Sequence, residues 1–173
     1  MSWLRSDPAR QTAEQLYTEL VAQARRPEFY AQLGVPDTLD GRFELLVLHT
    51  FLVLRRLKSN PEATKTRQAL LEVFVDDMDA SLREMGAGDL GVGRRVKTMA
   101  QALYGRIAAY EAGLADSEQS LINALRRNLF GTAGEPGPSY AVVERLATYV
   151  RRESTEPIDS VEGFRFGPPP SLD

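Results

Sequence analysis

Apolar side chains recur at steps of three and four residues along most of the chain, which is the period of a helix packed on one face. No stretch alternates in the way a half-buried strand would. The pattern predicts helices over residues 8–26, 28–33, 41–58, 61–85, 89–112, 117–129 and 140–152. The sequence therefore predicts an all-α protein, a single-domain irregular bundle of about six or seven helices with a proline-rich C-terminal tail.

Capping residues support several of these boundaries. Asp7-Pro8 and Asn60-Pro61 each place a residue that favours the N-cap before a proline at the first helical position, and Ser117 precedes Glu118 in the same manner. A length of 173 residues favours one domain. We predict a helical domain over residues 1–155 and an extended tail over 156–173, in which Phe164 and Phe166 can dock locally.

The segment 41–58 is apolar on every side, which is typical of a central, buried helix. It contains His49, the single histidine of the chain. A polar ring among leucines is more often a hydrogen-bonded core residue than a ligand or a catalyst. The sequence therefore predicts a core histidine here.

The amino-acid composition argues against several kinds of functional site. The chain has no cysteine and one histidine, which excludes disulfides, thiolate metal sites and cysteine nucleophiles. We expect no enzymatic activity, no metal and no cofactor. The net charge of −3 argues against a DNA-binding protein.

Localisation follows from two further patterns. The longest apolar run, residues 45–54, is shorter than the ~20 residues that a membrane-spanning helix needs. The stretch from Met1 to Arg10 lacks the features of a leader peptide. We expect a cytoplasmic protein, with peripheral attachment to the inner membrane as an open alternative.

The stretch from Asp76 to Arg106 is the most distinctive part of the sequence. It runs from an acidic helix through four glycines into a basic helix. A tight turn with positive φ is the preferred interpretation. A nucleotide loop is disfavoured because no strand precedes the glycines and no lysine–hydroxyl pair follows them. We predict Asp89 as the N-cap of the next helix, and a pair between Asp79 and Arg83 that positions the turn.

The remaining acidic residues and the methionines of this region have structural interpretations. The acidic residues Asp76, Asp77, Asp79 and Glu84 point to different helix faces and predict a solvated surface; a carboxylate-based enzyme site is the weaker alternative. Met78, Met85 and Met99 lie on inward stripes. Methionines can line adaptable binding grooves, but we predict that these three fill the core.

Basic doublets recur at Arg25-Arg26, Arg55-Arg56, Arg94-Arg95, Arg126-Arg127 and Arg151-Arg152. At helix C-terminal ends they stabilise the macrodipole. Gathered on one side, they would bind anionic lipid, ribosomal RNA or an acidic partner. The sequence leaves both roles open.

Two phrases carry a family resemblance: LGVPDTLDGRFELLVLHTFLVLRRL, and DMDASLREMGAGDLGVGRRVKTMAQALYGR at its observed spacing. Together they resemble the ubiquinol–cytochrome c chaperone family, most clearly over residues 30–110. The resemblance implies a bacterial-type assembly factor for the cytochrome bc1 complex, a non-enzymatic chaperone that binds or guides newly made cytochrome b at the inner membrane. Mitochondrial members act with a small partner protein near the ribosomal exit; the resemblance leaves that partner and the ribosome open for this chain.

The matched stretch also suggests where a client would bind. We expect the client surface at Asp79, Arg83, Glu84, Asp89, Arg94, Lys97, Tyr104 and Arg106. For each of these residues, a salt bridge or cap within the bundle is the competing interpretation. The alternative function is a peripheral membrane-binding helical module that uses the basic helix ends.

Overall fold

A computed structural model describes residues 7–172. Within that range the chain forms seven α-helices and no strand. The helices are α1 (Pro8–Ala24), α2 (Pro27–Ala31), α3 (Leu39–Leu57), α4 (Thr64–Glu84), α5 (Asp89–Asp116), α6 (Glu118–Leu129) and α7 (Tyr140–Glu153). The predicted all-α bundle is confirmed. The prediction that Met1 to Arg10 holds no leader falls largely on residues 1–6, which lie outside the described range.

Three elements begin at the capping residues that the sequence predicts, Asp7, Asn60 and Ser117. Asp7 Oδ1 accepts a hydrogen bond from the Ala9 amide at 3.0 Å, and Ser117 Oγ accepts one from the Ser120 amide at 3.1 Å. Asn60 Oδ1 caps a short 3-10 turn, Pro61–Ala63, that leads into α4. These side chains satisfy amides that a helix leaves unpaired at its first turn.

Helix α3 is the centre of the bundle. Its apolar side chains supply two core clusters on opposite sides. Leu45, Leu48, Phe51 and Leu52 pack with residues of α2, α6 and α7. Val47, Val53, Leu54 and Leu57 pack with residues of α1 and α4. The prediction of a central, buried helix is confirmed, and the other helices are arranged around it.

His49 is fully buried on α3. Its Nδ1 lies 2.7 Å from the Leu45 carbonyl, which only accepts, so Nδ1–H is the donor. The other ring nitrogen, Nε2, accepts from the Tyr149 hydroxyl at 2.9 Å. Burial lowers the pKa of His49 to about 4. The predicted core histidine is confirmed, and it links α3 to α7.

The C-terminal tail packs against α3 and α7. Phe164 is buried, and the Arg56 guanidinium lies 4.8 Å from the centre of its ring. Phe166 meets the His49 ring edge-on at 5.2 Å between centroids. The Gly167 amide donates to Glu153 Oε1 at 3.1 Å. Local docking of both phenylalanines is confirmed, whereas the division at residue 155 stays a prediction.

The buried neutral histidine makes stability depend on pH. In the unfolded chain His49 has its ordinary pKa of about 6.5, and in the folded protein the value is about 4. The unfolded state therefore binds more protons between these values, and stability falls as the pH falls through that window. We expect the free energy of unfolding in urea to drop by about 2 kcal/mol between about pH 7 and pH 5.

A His49→Gln variant provides the control, because glutamine keeps polar groups in the pocket but does not titrate. The variant is expected to be less stable, yet its stability should vary much less between these two pH values. An equal slope in both proteins would show that the histidine is not the titrating group.

Candidate functional site

The turn between α4 and α5 closes through a Schellman motif. The Gly86 amide donates to the Arg83 carbonyl at 3.0 Å and the Ala87 amide donates to the Leu82 carbonyl at 3.2 Å. Gly86 has φ of 83°, a conformation that a side chain disfavours. The predicted positive-φ turn is confirmed at this one glycine of the four.

The prediction that Asp89 caps α5 is wrong. Gly88 occupies the N-cap position with extended backbone, and Asp89 is the first helical residue. Its carboxylate accepts a hydrogen bond from Arg83 instead. A negative charge in the first turn still stabilises the helix through the macrodipole.

Arg83 bridges the two helices across the turn. Its Nε donates to Asp79 Oδ2 at 2.7 Å, and its Nη1 donates to Asp89 Oδ1 at 2.5 Å. The hydrogen bonds to Asp79 and then to Asp89 raise the pKa of Arg83. The predicted Asp79–Arg83 pair is confirmed, and the third residue extends it across the turn. Glu84, beside the turn, is exposed.

The other acidic residues of α4 point elsewhere. Asp76 pairs with Arg10 of α1 at 2.8 Å, and Asp77 Oδ2 accepts a hydrogen bond from the Tyr17 hydroxyl at 2.6 Å. The acidic residues therefore do not converge. Within residues 7–172, no cluster of three or more histidines and carboxylates has the geometry to hold a metal ion.

An open groove of about 1030 Å³ lies beside this turn. It runs between the C-terminal end of α1, the short α2, the first half of α3, the last turns of α4 and the middle of α5. Its apolar lining comprises Val21, Leu39, Phe43, Leu46, Met78, Leu82, Met85 and Met99. Leu39 and Met85 are 67% and 53% exposed, so a sizeable part of this lining meets solvent.

The methionines of this region do not all fill the core as predicted. Met78 is buried, but Met85 is exposed and Met99 is half-buried. All three line the groove. The stripe continues past the point where α4 ends at Glu84, and no helix within the described residues covers Met85 there. The prediction is therefore wrong for Met85. Met99 packs against the core with part of its side chain and lines the groove with the rest.

Charged groups in the groove pair mostly with each other. Arg106 of α5 donates two hydrogen bonds to Glu44 of α3, from Nη2 to Oε1 at 2.7 Å and from Nε to Oε2 at 3.1 Å. This hydrogen bonding to Glu44 raises the pKa of Arg106. Arg42 pairs with Asp37 at 2.7 Å. Arg25 and Arg95 line the groove without an ion pair to any residue in the range 7–172.

The remaining predicted site residues occupy a different surface. Arg94, Lys97 and Tyr104 are exposed and lie on the outer side of α5, away from its buried residue Val92. The eight predicted residues therefore divide into three places. Asp79, Arg83, Glu84 and Asp89 lie at the turn, Arg106 lies in the groove, and the other three lie on the outer face of α5.

The groove was missed because its walls come from distant segments. Its far side includes Arg25 and Leu39, which no local motif connects to the glycine turn. The methionine spacing is the one signal in the sequence, and the same spacing is typical of a buried core stripe. None of the described helices combines the length and apolar character that a membrane crossing requires.

Comparison with known proteins identifies relatives over most of the chain. Residues 31–159 match the profile of a protein family described as "Ubiquinol-cytochrome C chaperone". The crystal structure of the Cbp3 homolog from Brucella abortus superimposes with a TM-score of 0.70 and 36% identity, over 90% of this chain and 93% of that one. The suspected family resemblance is confirmed, including its similarity to a bacterial member.

Curated relatives come from eukaryotes. Human ubiquinol-cytochrome c reductase complex assembly factor 1 is 27% identical over 152 residues, which cover 87% of this chain and 50% of the human protein. Protein CBP3 of Saccharomyces cerevisiae is 30% identical over 70% of this chain and 37% of its own length. The chain thus spans about half the length of the human and mouse relatives, and 74% of the Xenopus laevis relative.

The Arg83 bridge predicts a local effect of mutation. Arg83→Ala removes the bond to Asp89 that joins α4 to α5 and the bond to Asp79 within α4. The Arg83 side chain is exposed, so its loss leaves the core unchanged. We expect faster amide hydrogen exchange over residues 86–93, with the melting temperature almost unchanged.

Arg10→Ala serves as the matched control, because Arg10 is also an exposed arginine that bonds two carboxylates, Glu14 and Asp76. It should leave exchange at the turn unaffected. Unaltered exchange in Arg83→Ala would contradict a positioning role for the bridge.

Proposed function

Because this chain belongs to the ubiquinol-cytochrome c chaperone family, we propose that it is a non-enzymatic assembly factor for the cytochrome bc1 complex. Its client is newly made cytochrome b, which it binds at the surface of the inner membrane. Relatives that match over most of this chain carry the name of assembly factors for the ubiquinol-cytochrome c reductase complex. That name supports the assembly role, and the groove supports a mode of binding.

The open apolar groove is the observation that carries this proposal. Exposed apolar side chains that are gathered in one concave surface mark a binding site more often than a folding requirement. Leu39 and Met85 stand at its mouth, and Phe43 and Leu46 of the central helix line it. A volume of about 1030 Å³ suits several apolar anchors of a helix laid into a groove.

The chemistry of the lining supports a holding function. Methionine is unbranched and polarizable, so Met78, Met85 and Met99 can adjust to apolar partners of different shape. The carboxylates of Glu44 and Asp37 are engaged by Arg106 and Arg42, and Asp77 is engaged by Tyr17. Because these three carboxylates already have partners, they are better suited to position the groove walls than to act as acids or bases on a substrate.

The client contact that we propose joins the groove to the turn beside it. An apolar helix of cytochrome b occupies the groove, with Arg106 and Glu44 fixing the spacing of α3 and α5. Arg83, with Asp79 and Asp89, sets the direction in which α5 leaves the turn, and Glu84 offers an exposed carboxylate at the rim.

The groove is tested by removing its exposed apolar contacts in the organism that encodes this chain. A Leu39→Ser, Met85→Ser double variant should fold, because both side chains are largely exposed. Loss of two apolar contacts of about 1 kcal/mol each weakens client binding roughly thirtyfold. We expect a several-fold fall in membrane cytochrome b and in bc1 activity, similar to deletion of the protein.

Tyr140→Ser is the matched control, since Tyr140 is 51% exposed and lies on α7 away from the groove. It should restore normal bc1 levels in the deletion strain. Full rescue by the groove variant would refute the groove as client site, and normal bc1 in the deletion strain would refute the assembly role itself.

A further inference from the structure

The first turns of α5 contain residues that folding alone does not explain. Leu90 is 91% exposed, more than any other large apolar residue in the range 7–172. Gly91 and Gly93 lie within the helix, where glycine is less stable than alanine. Open space surrounds both positions, so no close packing requires the glycines.

The same segment carries charge without compensation. Between residues 90 and 110 the chain has four basic residues, Arg94, Arg95, Lys97 and Arg106, and no acidic one. Arg106 is paired with Glu44. The other three make no ion pair with any residue that the structure describes. This helix therefore presents three cations that the described fold leaves unpaired.

The other basic doublets have roles within the protein. Arg26 pairs with Glu28, and Arg55 and Arg56 bond Glu111 and the Glu156 carbonyl. Arg126 donates to the Pro138 carbonyl, and Arg152 pairs with Glu153. The last three of these doublets also end their helices, where the macrodipole favours cations. Only Arg94-Arg95 lacks both kinds of stabilisation among the described residues.

The exposed residues of α5 form one stripe. Leu90, Arg94, Lys97 and Tyr104 follow each other at steps of four, three and seven residues and are all exposed. These steps keep them on one side of a helix, over a length of ~21 Å. We call these four residues the α5 stripe. It combines an apolar end, two cations and an aromatic ring on a surface that no described element covers.

We propose that the α5 stripe docks on an anionic lipid surface. Arg94 and Lys97 contact lipid phosphates, Leu90 enters the boundary between headgroups and acyl chains, and Tyr104 lies at the interface. An amphipathic surface helix binds membranes through this combination of cations and apolar residues. A nucleic acid would complement the cations but would give the protruding leucine no apolar environment.

Docking through this stripe orients the proposed client site. Arg95, Met99 and Arg106 of the same helix line the groove, so the groove and the stripe occupy different faces of α5. A lipid surface against the stripe therefore leaves the groove uncovered, on another face of the same helix. The inference goes beyond the proposed function, because lipid docking requires neither cytochrome b nor the bc1 complex.

The test uses the purified protein and sedimentation with vesicles. Vesicles of phosphatidylcholine with added phosphatidylglycerol should bind it, pure phosphatidylcholine vesicles should bind it far less, and salt should weaken binding. Arg94→Gln with Lys97→Gln should lower the partition coefficient roughly thirtyfold, from the loss of two surface cations. Leu90→Ser should lower it roughly tenfold.

Lys58→Gln with Lys65→Gln is the matched control. It removes the same charge from exposed positions outside the α5 stripe, and it should change the partition coefficient by less than about a factor of two. Circular dichroism verifies that each variant is folded.

Three results would overturn the inference. These are equal binding to neutral vesicles, equal losses in the control, and binding to heparin through the stripe without binding to vesicles. The last would assign the stripe to a nucleic acid or an acidic protein. None of them depends on bc1 levels, so failure here is distinguishable from failure of the proposed function.

Discussion

The architecture depends on the burial of one helix that is apolar on every side. Helix α3 carries apolar side chains around its full circumference, so no single neighbouring helix can remove all of them from water. Helices α2, α6 and α7 pack on one side of α3, and α1 and α4 pack on the other. Even the C-terminal tail takes part, since Phe166 covers the His49 ring. Burial of α3 thus determines where these five helices lie.

The groove forms where this cover is incomplete. Helix α4 stops at Glu84, and Gly86 reverses the chain into α5. Phe43 and Leu46, in the first half of α3, are consequently only half-buried. The Arg106–Glu44 pair holds α5 against α3 at this point. An apolar surface is therefore kept open by paired charges, and a partner helix would complete the cover that the chain itself lacks.

Helix α5 has three faces, and each face has a different role. Val92, Leu103 and Tyr110 face the core, Met99 and Arg106 face the groove, and the α5 stripe faces outward. Because one rigid element carries all three faces, the position of the groove relative to any surface bound by the stripe is set by the helix itself. The glycine turn and the Arg83 bridge set the direction in which this helix begins.

The sequence by itself determined whatever depends on neighbours within one or two helical turns. Helical periods, the caps at Asp7 and Ser117, the Asp79–Arg83 pair and the burial of His49 all follow from local spacing and apolar runs. The long family phrases likewise identified the relatives. Only the tertiary structure decided that Met85 is exposed, that Arg106 pairs with Glu44, and that the eight predicted site residues lie in three places. Those outcomes depend on which helix covers which stripe, and that choice is made by contacts between segments far apart in the chain, which a local pattern does not encode.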